Sequence, residues 1–268
     1  MTVAAIRGPD EHMVQFVRLF LILFAAAAGL SGPARSGQPV AIELVLAVDT
    51  SISVSAAEYQ LQMQGIAQAL RHPDILAAIS DQPGGVAITL VHWSLGSRNR
   101  QAVGWHWLKS DAEVFDFASE IERAPRIGAG RGTSISDAIV FSTRLLAENE
   151  FAGRALKIDI SGDSRHNSGP SPHAARDLAV LAGVTINGLV IEDGDRNLGE
   201  YYRQLVIGGE GAFVMSVDRN RDFALAMQRK LARELAPIAA LPTSVFSLAG
   251  CKTCGQPADK ISTDGASP

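Results

Sequence analysis

Cysteine is nearly absent from this 268-residue sequence, in which Cys251 and Cys254 are the only two. Their C-x-x-C spacing lies in a polar tail rich in Gly, Ser, Thr and Pro. Zinc needs two further ligands that this tail does not supply, and a thioredoxin-like redox motif opens a helix after a strand instead of trailing a final helix. A local disulfide, which an oxidising compartment permits, or no role at all, is what remains. Long runs of like charge are also missing: 24 basic and 28 acidic side chains are interspersed to a formal net charge of -4. No basic footprint for a phosphate backbone results, so nucleic acid is not an expected partner. No G-x-S-x-G elbow is present to support a hydrolase triad. Beyond the N-terminal region, no apolar run approaches the ~20 residues of a membrane-spanning helix.

The N-terminus does carry a shorter apolar run. Arg18 precedes Leu19–Ala28, and small residues and a proline follow through Gly37. This pattern reads as a secretory signal over residues 1–37, with an uncleaved anchor as the alternative. No cysteine follows the run to anchor a lipoprotein. The expectation is therefore an exported protein, periplasmic or secreted, with no membrane span after signal removal.

With 47% hydrophobic residues, the remainder is long enough for one large domain with a sizeable core. Residues 40–48 (VAIELVLAV) form a near-continuous β-branched run ending at Asp49, as expected of a central strand covered on both faces. Ser55 and Glu58 form a capping box before helical spacing over 56–70. Strands are expected at 86–93, 102–108 (an edge), 156–160, 184–191 and 212–217. Helices are expected from Ser110 to Ile121 and over 134–146, 172–182, 198–207 and 222–235, with Pro237 ending the last. Such alternation specifies an α/β fold with a doubly wound, mostly parallel six-stranded sheet and helices on both faces. The domain is assigned to residues 38–237 and a disordered C-terminal tail to 238–268.

Three polar clusters fall at expected strand ends: Asp49-Thr50-Ser51-Ile52-Ser53, Gly132-Thr133 and Ser161-Gly162-Asp163. Ligands in such sheets bind beyond the carboxyl ends of the strands, where the strand order reverses. Two carboxylates and three hydroxyls are all hard oxygen donors, suited to a divalent cation, Mg²⁺ or Mn²⁺. The same residues also serve as ordinary helix caps, Thr133 or Ser134 for the helix that follows.

The D-x-S-x-S spacing, the Gly-Thr in a glycine loop and the later aspartate resemble the metal-ion-dependent adhesion site of von Willebrand A domains. Asp159–Asp163, Gly183–Leu189, Tyr201-Tyr202, Ile207–Gly209 and Gly211–Val214 further resemble a secreted proteobacterial branch of that fold, domain-of-unknown-function family 1194, over about Val40 to Leu235. The resemblance implies that Ser51, Ser53 and Thr133 contact the cation through hydroxyls, while Asp49 and Asp163 bind it directly or through water. One position is left for an acidic group, Asp or Glu, of a partner protein. The sequence departs from many A domains at Ser164, where they carry glycine, and this bears on the loop with Arg165, His166 and Asn167.

Other polar residues admit plainer readings. Asp159 lies inside a strand and suits a buried network. Trp93, Trp105 and Trp107, interleaved with His92 and His106, suit core and edge packing more than a ligand platform. His166 is expected to be a solvent-exposed loop residue. Arg131 either attracts an anionic ligand or is solvated. The expected function is a cation-dependent binding module without chemistry of its own. The alternatives are a metal-dependent phosphatase or other hydrolase using Asp49, which lacks the usual second Asp because Ser51 stands there, and a metal-free scaffold.

Overall fold

A computed structural model describes residues 37–192, 194–218 and 222–236. Apart from Gly37, the expected leader and tail lie outside the described residues. Six strands, β1 (Gln38–Asp49), β2 (Val86–Trp93), β3 (Arg100–Leu108), β4 (Phe151–Gly162), β5 (Val184–Ile191) and β6 (Val214–Val217), form one sheet in the order β3-β2-β1-β4-β5-β6. Only the edge pair β2/β3 is antiparallel. The described helices are α1 (Ala56–Leu70), α2 (Pro73–Ser80), α3 (Asp111–Arg123), α4 (Ile135–Glu148), α5 (Pro172–Leu181), α6 (Leu198–Leu205) and α7 (Phe223–Glu234). This is the doubly wound α/β architecture expected of the pattern.

Burial on both faces explains the apolar run of β1. Side chains alternate across a strand, so Leu44, Leu46 and Val48 join a core with α1, α2, α3 and α7. Val45 and Ala47 point the other way, into a core with α4, α5 and α6. The Ser55/Glu58 box starts α1, with both reciprocal bonds formed, and Gly65 lets α7 close in, since a Cβ there would lie 2.9 Å from the Phe223 ring. Helix α2, which the hydrophobic pattern did not reveal, starts where His72 accepts from the Asp74 N–H and Pro73 supplies its fixed φ.

A buried polar cluster joins β4 and β5 to α7. The Lys230 ammonium contacts Asp159 at 2.8 Å and Glu234 at 2.9 Å. Asn187 donates to Glu234 at 2.7 Å and accepts from the Phe213 N–H at 2.9 Å, and Lys157 donates to the Glu234 carbonyl. Burial alone draws the lysine towards its neutral form, but Asp159 and Glu234 more than offset this, and its pKa ends above the ordinary value. Asp159 therefore belongs to a structural ion cluster.

The tryptophans pack as expected: Trp93 is fully buried, while Trp105 and Trp107 lie against Phe151.

Candidate metal centre

Neighbouring parallel strands β1 and β4 lie at the point where the chain switches from building one side of the sheet to the other. Val48 pairs with Ser161 and Asp49 with Trp93, so the chain ends of both strands leave the sheet together. That register brings Asp49 and Asp163 to one spot.

The loop after β1 folds around its own aspartate. Asp49 Oδ1 accepts the Ser51 N–H at 2.7 Å, and the Ser51 and Ser53 hydroxyls are 2.9 Å apart. Ser53 donates to Asp163 Oδ1 at 3.0 Å, and Ser164 donates to the same oxygen at 2.8 Å. Arg126 clamps the loop from behind, its Nη2 donating to the carbonyls of Thr50 and Ser51 at 2.8 and 2.6 Å. Asp49, Ser51, Ser53 and Asp163 are thus joined in one chain of hydrogen bonds.

Thr133 is tied to this group indirectly. Asn167, on the loop carrying Asp163, accepts the Thr133 N–H at 2.8 Å and donates its own N–H to the Thr133 carbonyl at 2.9 Å. The N-cap position of α4 belongs to Ser134, whose side chain makes no capping bond; instead, His166 Nδ1 accepts the Ile135 N–H at 3.2 Å. Capping therefore does not occupy the Thr133 hydroxyl. His166 is half-buried and engaged at both ring nitrogens, with Nε2 at 3.1 Å from the Gly169 carbonyl. It is not the solvent-exposed residue that the sequence suggested, because α4 needs an acceptor that Ser134 does not provide.

Exposure grades from Asp49, fully buried, through half-buried Asp163 to exposed Ser53, so the group opens to solvent on one side. Asp49 Oδ2 is buried and has no hydrogen-bond partner. Burial first, then the nearby Asp163 charge, push the Asp49 pKa up to about 7 against the pull of Ser51 and Arg126. Two carboxylates held together with too few donors fit a cation, which relieves both repulsion and desolvation. Among the described residues no group of three or more His, Cys, Asp or Glu is placed to hold a metal. The donor set is therefore of the carboxylate-hydroxyl kind, which favours hard cations.

Trp93, expected to pack, and Tyr202, which the sequence marked only through the family resemblance, stand behind this group. A Cβ on Gly162 would lie 2.8 Å from the Tyr202 hydroxyl, 3.2 Å from the Trp93 ring and 3.3 Å from Asp49 Oδ2. The Tyr202 hydroxyl and the Trp93 indole N–H are both buried without partners. Burial, reinforced by Asp49 and Asp163, holds the Tyr202 pKa well above the ordinary tyrosine value, so it remains a proton donor. Arg126 was likewise not identified from sequence, where an arginine in a loop carries no signal of what it meets, and Asn167 was marked only as part of the loop after Ser164.

A family model described as Protein of unknown function (DUF1194) matches residues 39–239. No curated protein matches the chain. Solved structures do. Proximal thread matrix protein 1 from the mussel byssus is 17% identical at a TM-score of 0.54, covering 75% of this chain and 47% of that one. The same protein with a zinc-occupied MIDAS motif gives 17%, 0.55, 75% and 49%. The vWF domain of the type V pili tip protein Mfa5 from Porphyromonas gingivalis gives 12%, 0.51, 73% and 95%. The chain spans about half the length of the thread matrix protein. At these identities the likeness shows the fold, a von Willebrand A-like domain.

Proposed function

The chain belongs to the DUF1194 family, and we propose that it is a cation-dependent protein-binding module whose metal-ion-dependent adhesion site is formed by Asp49, Ser51, Ser53, Thr133 and Asp163. The observation that carries this reading is the buried, unpartnered Asp49 Oδ2 beside a second carboxylate and a chain of hydroxyls. Mg²⁺ or Mn²⁺ would be held by these oxygens and would offer one open position to an Asp or Glu of a partner protein.

The thread matrix protein with its zinc-occupied motif supports divalent-cation binding on this fold. The absence of chemistry is supported by Ser51, which stands where a phosphatase of this layout needs its acid/base, and by His166, whose ring nitrogens are both engaged. Among the described residues no helix is long and apolar enough to cross a membrane. With a leader over residues 1–37 and the domain over 38–237, the module acts in the periplasm or outside the cell.

Calorimetric titration of Mg²⁺ and Mn²⁺ into metal-stripped protein tests the site. Saturable binding that both Asp49→Ala and Thr133→Ala lose is the expected result. Absence of binding at millimolar cation, with the fold intact by circular dichroism, would leave a metal-free scaffold.

A further inference from the structure

Beside the metal centre lies a cleft of about 440 Å³ whose lining includes Arg98, Arg126, Arg131, Ile52 and Leu95, and no acidic residue. It shares its walls with the site. Ile52 sits between Ser51 and Ser53 and donates its N–H to the Gly130 carbonyl at 3.1 Å. Arg126 holds the Thr50 and Ser51 carbonyls, and Arg131 precedes Gly132-Thr133.

None of the three guanidinium groups has a carboxylate partner among the described residues, whereas Arg71 and Arg165 are paired with Glu122 and Asp195. Arg98 makes only a long bond to the Ala129 carbonyl at 3.3 Å. Arg126 Nε is buried with no partner at all. An anion in the cleft would give the exposed Arg98 and Arg131 guanidinium groups the charge-assisted bonds they lack. The overall charge of -4 makes three arginines without an ion pair in one cleft a local feature and not a general bias. Ile52, 63% exposed at the rim, adds an apolar contact for the stem of a short side chain.

We propose that this cleft is an anion subsite that takes a second acidic side chain of the same partner segment whose first carboxylate occupies the metal. This deepens the adhesion-site reading and rests on it. The ligand class becomes a protein segment with two neighbouring Asp or Glu residues. A planar carboxylate suits the guanidinium fork, and the loops common to both sites keep the two acidic positions within a short stretch of chain.

The test uses Mn²⁺-loaded protein and fluorescein-labelled glycine peptides carrying one aspartate, or two separated by zero, one or two glycines, read by anisotropy. At least one doubly acidic peptide is expected to bind about tenfold tighter than the singly acidic one, the scale of one charge-assisted contact. The double variant Arg98→Gln/Arg131→Gln should abolish that gain while leaving singly acidic binding and calorimetric Mn²⁺ affinity unchanged. Both arginines are exposed, so the substitutions spare the core, and Arg126 is left in place because it supports the loop. Equal affinities for all peptides, or an equal loss for all in the variant, would overturn the subsite. Absence of Mn²⁺ binding would overturn both readings, whereas normal Mn²⁺ binding without peptide preference would overturn this one alone.

Discussion

Lowering the pH from 8 to 6 should weaken Mg²⁺ binding and make it release protons. Asp49 is the cause: its carboxyl, fully buried and beside Asp163, has a pKa of about 7 in the metal-free protein. At pH 6 roughly ten molecules in eleven then carry a proton on Asp49, against about one in eleven at pH 8. A cation binds the ionised form, so the apparent affinity should fall about tenfold over that interval. Close to one proton should be released per ion at pH 6 and about 0.1 at pH 8. Calorimetry at each pH in two buffers of different ionisation heat counts these protons directly. A count near zero at pH 6, with affinity flat from pH 6 to 8, would mean that Asp49 is already ionised. The argument from burial and repulsion would then be wrong.

The same shift predicts the stability of the metal-free protein. A carboxylate whose folded-state pKa is raised contributes stability that is fully present below the unfolded value and lost as pH rises through the folded one. Stability should therefore decline from about pH 4 to above 7, by a few kcal/mol if the whole shift is expressed; denaturant melts of wild type against Asp49→Asn should show the slope only in the former. Tyr202→Phe removes a buried, unpartnered hydroxyl that lies beside Gly162 as Asp49 Oδ2 does, and should weaken cation affinity roughly tenfold without loss of thermal stability; unchanged affinity in the same calorimetric titration would limit Tyr202 to packing. Lys230→Met leaves Asp159 buried without its cation and Glu234 with only Lys157 at 3.5 Å, which should cost about 3–5 kcal/mol in urea unfolding, and a cost under about 1 kcal/mol would show that the cluster titrates to neutrality instead.

The parts of the fold that could be read from sequence are those where one residue pattern has one physical cause. Residues 40–48 advertise a central strand because both faces of β1 are covered, and Ser55 with Glu58 marks the start of α1 because the reciprocal bonds are local. β4 reads as starting at Leu156 but begins at Phe151, since Ala152, Gly153 and Ala155 are half-covered and Arg154 is exposed, so the stretch carries no strong apolar signal. Helix α2 is too short for its periodicity to stand out. At the candidate site, Asp49, Ser51, Ser53 and Asp163 are legible because they follow the ends of β1 and β4, whereas Thr133, expected at a strand end, lies in the glycine loop between α3 and α4, with no strand before it. Tyr202 and Arg126 arrive from distant segments, and Asn167, on the loop after Asp163, shows its partner Thr133 only in the assembled structure.

The ion cluster on α7 sets where this domain can be cut. Asp163 directly follows strand β4, and four residues before it the strand is joined through Asp159 to Lys230, which also pairs with Glu234. A recombinant fragment ending before Lys230 would strip the counter-charge from a strand whose tip carries half of the candidate cation's carboxylates. It would expose the flank of Leu189, Ile191 and Met227 at the same time. Expression designs that trim the C-terminus should therefore keep every residue through Glu234.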